Sequence, residues 1–201
     1  MKRQPVYVSV CDGVYPVSED TLLMLSCVEV EPGERALEMG CGAGLVGIHM
    51  ALCGAEVVMA DVDPVAAECA RKNAADAGVD AVVVESDLFE NIDGVFDVIV
   101  FNPPYLPGAG GDQRLDGGEG GIEVADRFLM DAPRHLKDCG RVYLLLSSLS
   151  DIAALRERHH GWVWELVGEK RLFFETLYVY RLRLSVDGEG EKTNTRSVLP
   201  G

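Results

Sequence analysis

Asn102-Pro103-Pro104-Tyr105 follows a nearly unbroken apolar run, Val95 to Phe101, and is the most chemically specific segment of the chain. Two consecutive prolines fix the backbone, remove two N–H donors and leave carbonyl oxygens free to accept hydrogen bonds. The Asn102 side-chain oxygen and the Pro103 carbonyl together offer two acceptors to the two hydrogens of a planar NH2 group. The lone pair of such a nitrogen is delocalised into a carbonyl or an aromatic ring, so the nitrogen is a poor nucleophile. Gripping both hydrogens would aim the lone pair at an electrophilic methyl carbon and stabilise the charge that develops on nitrogen. Tyr105 would pack against the flat group. A rigid turn ending a strand accounts for the prolines but not for the asparagine ahead of them.

A second constellation lies upstream, in Glu38-Met39-Gly40-Cys41-Gly42-Ala43-Gly44. Glycines between a strand and a helix let the backbone approach a nucleotide and turn the helix N-terminus toward it. The dinucleotide fingerprint needs glycine at the position of Leu45, and its absence argues against a nicotinamide enzyme. Asp61, 21 positions after Gly40, falls at the end of the next strand, where a carboxylate can accept hydrogen bonds from both hydroxyls of a ribose. Asp87, just after the third strand, is either near an adenine edge or an ordinary loop acid. Neighbouring Asp63 is assigned to helix capping.

The elements that must position these residues alternate between strand and helix, as in one α/β domain. Ser18 to Val30 has apolar residues at helical spacing and should end before Pro32-Gly33. Strands are expected at Arg35 to Met39, Glu56 to Ala60, Ala81 to Glu85, Val95 to Phe101 and Arg141 to Leu146. Helices fall between them at Leu45 to Cys53, at Asp63 to Gly78 with Pro64 in its first turn, and at Ile122 to Leu136 with a kink at Pro133. Asp151 to His159 is a further helix, with His159 and His160 as cations at its C-terminus. Trp162 to Val167 and Leu172 to Leu184 have no helix between them and should form an antiparallel hairpin on a parallel sheet. The polar stretch from Ser185 to Gly201 reads as a disordered tail, leaving 1–184 as the domain. The loop from Gly108 to Gly121 is either a mobile lid or a flexible connection.

Composition narrows the classes. The 201 residues suffice for one compact core without a structural metal or disulfides. With 33 acidic residues against 18 Lys and Arg, the net charge of −15 disfavours free-standing duplex binding. No apolar run spans a membrane and no signal peptide is visible, so a cytoplasmic protein is expected. Six cysteines lie singly, without a zinc-site spacing, and are expected to be mostly reduced, half-buried small hydrophobes; no metal site is expected.

The glycine turn, Asp61, Asp87 and the Asn-Pro-Pro-Tyr tetrad, in this order, resemble a class I S-adenosylmethionine-dependent methyltransferase acting on nitrogen. More narrowly, the chain resembles the HemK family, in its short archaeal and eukaryotic branch. Tyr15-Pro16-Val17-Ser18-Glu19-Asp20-Thr21-Leu22, the Leu115 to Gly121 glycine loop and the terminal hairpin carry the narrower match, although here Pro16 follows Tyr15 with no residue between. The resemblance implies a Rossmann-like α/β fold with helices on both faces of a seven-stranded sheet, order 3-2-1-4-5-7-6, strand 7 antiparallel. It implies that Glu38, Gly40, Gly42, Asp61 and Asp87 hold S-adenosylmethionine and that Thr21 and Tyr15 close over its methionine part, with S-adenosylhomocysteine as product. Asn102 and Pro103 would grip the substrate amide, with Pro104 and Tyr105 completing its pocket.

The substrate implied is the glutamine of the Gly-Gly-Gln motif in a class 1 translation termination factor, methylated at N5. Lysine methylation and adenine N6 methylation are alternatives, the latter opposed by the charge. A non-catalytic subunit that only binds S-adenosylmethionine would predict a damaged tetrad, and here it is intact. The apolar edge strand Ala81 to Glu85 invites cover. In the resembling branch a small zinc-binding activator protein pairs with it, giving a heterodimer; a loop or the tail could otherwise cover it.

Overall fold

The computed structural model of the chain describes residues 7–108 and 115–185. Along the chain lie α1 (Glu19–Cys27), β1 (Arg35–Met39), α2 (Leu45–Leu52), β2 (Glu56–Asp61), α3 (Pro64–Ala77), β3 (Ala81–Glu85) and β4 (Phe96–Phe101). These are followed by α4 (Glu123–Asp131), β5 (Leu136–Ser147), α5 (Ile152–Arg158), β6 (Trp162–Arg171) and β7 (Thr176–Leu184). The strands form one sheet in the order β3-β2-β1-β4-β5-β7-β6. All neighbours are parallel except that β7 runs antiparallel to β5 and β6. Both the order and the appended hairpin agree with the expectation.

Strict alternation along the strands divides the core between the two faces of the sheet. Val98 and Val100 of β4, with Tyr143 and Leu145 of β5, pack with Leu23 and Met24 of α1, Val46 and Ile48 of α2 and Ala70 of α3. Ile99 and Phe101, with Leu144 and Leu146, pack on the other face with Phe128 and Leu129 of α4 and Leu155 of α5. Because both faces are covered, these strands read as continuous apolar runs. Each fully buried Val, Leu, Ile or Phe contributes about 1.5–3 kcal/mol.

The helix that follows β2 starts and stops as its sequence requires. Asp63 Oδ1 accepts from the Val65 N–H at 2.9 Å, Pro64 occupies the first turn, and Gly78 closes the helix at φ +67°. Elsewhere boundaries move. The chain leaves α1 at Val28, which is extended and seated in the core. The expected helix to Leu136 stops at Asp131; Ala132–His135 is a 3-10 turn built around Pro133, which has no N–H to continue α4. Leu136 instead pairs with Phe96, and a register shift between Phe96 and Val98 lengthens β5 at its start. A second shift, between Leu166 and Gly168, lets β6 run on to Arg171. His159 is buried and bonded to Asp126 of α4 at 2.7 Å, a tie between two helices as well as a helix end.

The cysteines depart from the expectation of unpaired thiols at two positions. Cys11 and Cys69, 58 residues apart, form a disulfide, while Cys27, Cys41, Cys53 and Cys139 are free. The pairing arises because residues 7–18 run as a strap across α3, where Asn73 donates to the carbonyls of Ser9 at 2.8 Å and Ala43 at 2.9 Å. No local spacing encodes that crossing. The expected tail lies outside the described residues except for Ser185, as does the middle of the glycine loop. No helix among the described residues is long and apolar enough to cross a membrane.

Candidate active site

β1 and β4 are neighbours, yet the chain runs from β1 outward to β3 before returning, so the sheet's winding reverses between them. Crevices at the carboxyl ends of strands form at such reversals. A cavity of about 570 Å3 opens there, and all the residues singled out in the sequence line it: Tyr15 and Thr21 from the strap and α1, Glu38 to Gly42, Asp61, Asp87 and the whole Asn102 to Tyr105 tetrad. The volume is within the range of small-molecule sites.

Glu38, the penultimate residue of β1, faces α2 and is 6% exposed. Its Oε2 accepts the Gly47 N–H at 2.7 Å. A Cβ on Gly47 would lie 2.7 Å from that oxygen and 2.5 Å from Met59 Sδ, so only glycine lets α2 sit this close. Burial, and secondarily the charge of Asp61, push Glu38 up to about 8, the Gly47 bond opposing them. Asp61 is tied at both oxygens, accepting from Gly42 N at 2.8 Å and from Asp63 N at 3.0 Å. Its pKa too is raised by burial, these two bonds opposing the shift. It thus pins the glycine turn to β2 while keeping lone pairs for a hydroxyl donor.

Asp87 lines the cavity but is paired with Arg127 of α4 at 2.9 Å. Beside it, Leu88 adopts φ +48°, a left-handed conformation that costs a leucine about 1–2 kcal/mol. Ser86 holds it there by donating to the Leu88 carbonyl at 2.7 Å. No sequence signal marks Arg127, Leu88 or Gly47.

On the opposite wall, Asn102 Nδ2 donates to Asp20 Oδ2 at 2.9 Å, while Asn102 Oδ1 is buried and accepts from none of the described residues. Asp20, 3% exposed at the start of α1, also accepts through Oδ1 from Ser18 Oγ at 2.6 Å and from the Thr21 N–H at 2.6 Å. Ser18 thereby spends its proton on Asp20, so Tyr15 is the donor in the 3.2 Å contact between their hydroxyls. A line of hydrogen bonds therefore runs from Tyr15 to Asn102. Asp20 lies in the segment that carried the family resemblance, but its role was not read from it.

The tetrad is braced from behind. Ser150 Oγ donates to the Tyr105 carbonyl at 3.0 Å. The described end of the glycine loop, Leu115 to Gly121, is tied to Leu106, which donates to the Leu115 carbonyl at 3.0 Å and accepts from the Gly117 N–H at 2.9 Å. A Cβ on Gly117 would stand 2.7 Å from the Pro104 carbonyl, and one on Gly121 2.3 Å from the Tyr105 carbonyl. Backbone meets backbone there, which only glycine allows.

Glu38 is a buried carboxylate for which no cationic partner is seen among the described residues, so one half of the cavity suits a nucleoside that carries a positive charge. The Asn102 oxygen lacks a donor, so the other half suits a group bearing N–H. A charged nucleoside that delivers a carbon to nitrogen meets both conditions, and the protein is a class I S-adenosylmethionine-dependent methyltransferase. The chain belongs to the methyltransferase small domain family, whose model matches residues 13–171, and is a HemK-like member.

Among its relatives is a protein of Methanocaldococcus jannaschii, provisionally named a protein N5-glutamine methyltransferase. It is 42% identical over 146 residues, covering 68% of this chain and 74% of that one. The ribosomal RNA small subunit methyltransferase C of Pasteurella multocida is 29% identical over 154 residues, covering 74% of this chain but only 44% of its own length. Among solved structures, the Mtq2-Trm112 complex of E. cuniculi, responsible for methylation of the translation termination factor eRF1, superposes with a TM-score of 0.71 at 26% identity. That match covers 86% of this chain and 99% of its counterpart.

Proposed function

We propose that the protein methylates the side-chain amide nitrogen of the glutamine in the Gly-Gly-Gln motif of a class 1 translation termination factor, in the cytoplasm. The observation that carries this is the unpartnered, buried Asn102 Oδ1 immediately before the two prolines. Left alone, such an oxygen costs about 1–3 kcal/mol, a penalty that an amide N–H of the substrate removes. S-adenosylmethionine, when bound, supplies a methyl group made electrophilic by the sulfonium charge. Glu38, Gly40, Gly42, Asp61 and Asp87 hold it, with Thr21 and Tyr15 over its methionine part. Asn102 Oδ1 and the Pro103 carbonyl take the two amide hydrogens, turn the lone pair out of conjugation and stabilise charge on nitrogen until a proton leaves to water. Pro104 and Tyr105 wall the flat amide.

The M. jannaschii relative and the E. cuniculi complex support this substrate. The same acceptors would fit an exocyclic base amine, and one relative is a ribosomal RNA methyltransferase, but a net charge of −15 opposes a phosphate-rich substrate. The partner follows the same reading. Among the described residues β3 pairs only with β2, and Val82 on it is 59% exposed. A small zinc-binding activator of the Trm112 kind would add a strand to that edge.

The test is label transfer from S-adenosylmethionine, with and without such an activator, to a termination factor carrying Gly-Gly-Gln or Gly-Gly-Arg. Label on the first alone is expected; equal label on both overturns the glutamine assignment.

A further inference from the structure

An asparagine amide has a donor end and an acceptor end of nearly the same shape, and a wall built to grip an NH2 group works only if the acceptor end faces it. Nothing within Asn102 decides between the two orientations. Asp20 decides it. Its carboxylate only accepts: Oδ1 from Ser18 and Thr21, Oδ2 from Asn102 Nδ2 at 2.9 Å. Rotating the Asn102 amide by half a turn would set oxygen against oxygen in a site from which water is nearly excluded, where Asp20 is 3% exposed. The donor end is therefore committed to Asp20, and Oδ1 is left without a partner on the other side of the amide.

We infer that Asp20 is a positioning residue for methyl transfer, locking Asn102 with its oxygen toward the substrate nitrogen so that the site accepts N–H donors. This rests on the reading above that Asn102 holds the substrate amide. A negative charge behind Nδ2 also polarises the Asn102 amide and strengthens Oδ1 as an acceptor where positive charge develops. The lock is itself held by the strap, since Ser18 bonds both Asp20 and Tyr15. Residues that line the cofactor side of the cavity thus set the geometry of the acceptor side, 82 positions away in sequence.

Asp20→Asn keeps the shape but offers Asn102 a donor as readily as an acceptor, so both amides can turn over. In the full chain with its activator, kcat for the Gly-Gly-Gln factor should fall by about 100-fold, the scale seen when one preorganised hydrogen bond is lost. S-adenosylmethionine affinity by calorimetry should stay within about threefold, which a collapsed pocket would not give. A folded, cofactor-binding Asp20→Asn variant with kcat within about threefold of the parent overturns the inference. A second measurement needs no variant: in isotope-labelled wild-type protein, the Asn102 side-chain NH2 should show one proton protected from exchange by the carboxylate. Free exchange of both overturns the lock even where Asp20→Asn fails to fold. Wild-type protein that leaves the factor unlabelled sinks the substrate assignment, while the exchange measurement still decides the orientation of Asn102.

Discussion

Gly47 donates its backbone N–H to Glu38 Oε2 at 2.7 Å, so the first turns of α2 bond directly to the one buried carboxylate at the end of β1. That bond does not offset burial: Glu38 is pushed up to about 8 from the ordinary 4.5. In the free protein it therefore carries a proton at neutral pH. If Glu38 holds the cofactor as proposed, binding a cation should release that proton, so affinity for S-adenosylmethionine should rise with pH up to about 8, by at most about tenfold per unit. Calorimetry at neutral pH in buffers of different ionisation enthalpy reads the proton directly; identical heats would remove Glu38 from the cofactor site. The sign for stability is opposite. A carboxyl whose folded pKa is raised binds more protons folded than unfolded between about 4.5 and 8, so this group makes the ligand-free protein lose stability as pH rises through that window.

Asn102→Ala removes one acceptor and leaves Asp20 Oδ2 without its donor. Transfer to the Gly-Gly-Gln factor should drop by about 100-fold to 1,000-fold. Binding of S-adenosylmethionine should be nearly unchanged, because Glu38 and Asp61 lie on the other wall. Full activity would refute the grip on the substrate amide.

Gly121→Ala places a Cβ 2.3 Å from the Tyr105 carbonyl, at a residue whose φ of +67° already excludes most side chains. The loop must shift and carry the tetrad with it. Melting should show a loss of about 1–3 kcal/mol, and activity should fall further than stability alone explains. Gly108 also has positive φ but open space around it, so Gly108→Ala should leave transfer far less affected.

Val82→Lys puts a charge on the exposed edge strand. The parent chain, alone at high concentration, should associate, and the variant should stay monodisperse yet capture a Trm112-like activator more weakly. Co-purification and light scattering read the two effects. An activator that binds parent and variant equally well would move the interface elsewhere.

Local chemistry was legible in the sequence; crossings were not. Asp63 with Pro64, the glycine turn after β1 and the two aromatic strands at the end each carry their instructions within a few residues, and each was read. The family resemblance supplied the strand order, which periodicity could not. What was missed depends on residues distant in sequence meeting in space: Asp20 acts through Asn102, Asp87 is held by Arg127, and Cys11 reaches Cys69 only because the strap crosses α3. The start of β5 is hidden in the sequence because Lys137 and Asp138 are polar, and these residues and Cys139 are exposed where a register shift beside β4 accommodates them.

The Cys11–Cys69 bond encloses in one covalent ring nearly every group proposed to hold the cofactor, Tyr15, Thr21, Glu38, Gly40, Gly42 and Asp61, together with Asp20, which orients Asn102. The Asn102 to Tyr105 tetrad lies outside it. Closing a ring of 58 residues stabilises a fold by about 4 kcal/mol in the chain-entropy account, by restricting the unfolded chain. A purification carried out in strong thiol would therefore yield a protein lower in melting temperature, with a looser strap and, through Ser18 and Asp20, a less firmly oriented Asn102, so that cofactor affinity and transfer should weaken together. Assays run in reducing and non-reducing buffers would then be reporting on two molecules.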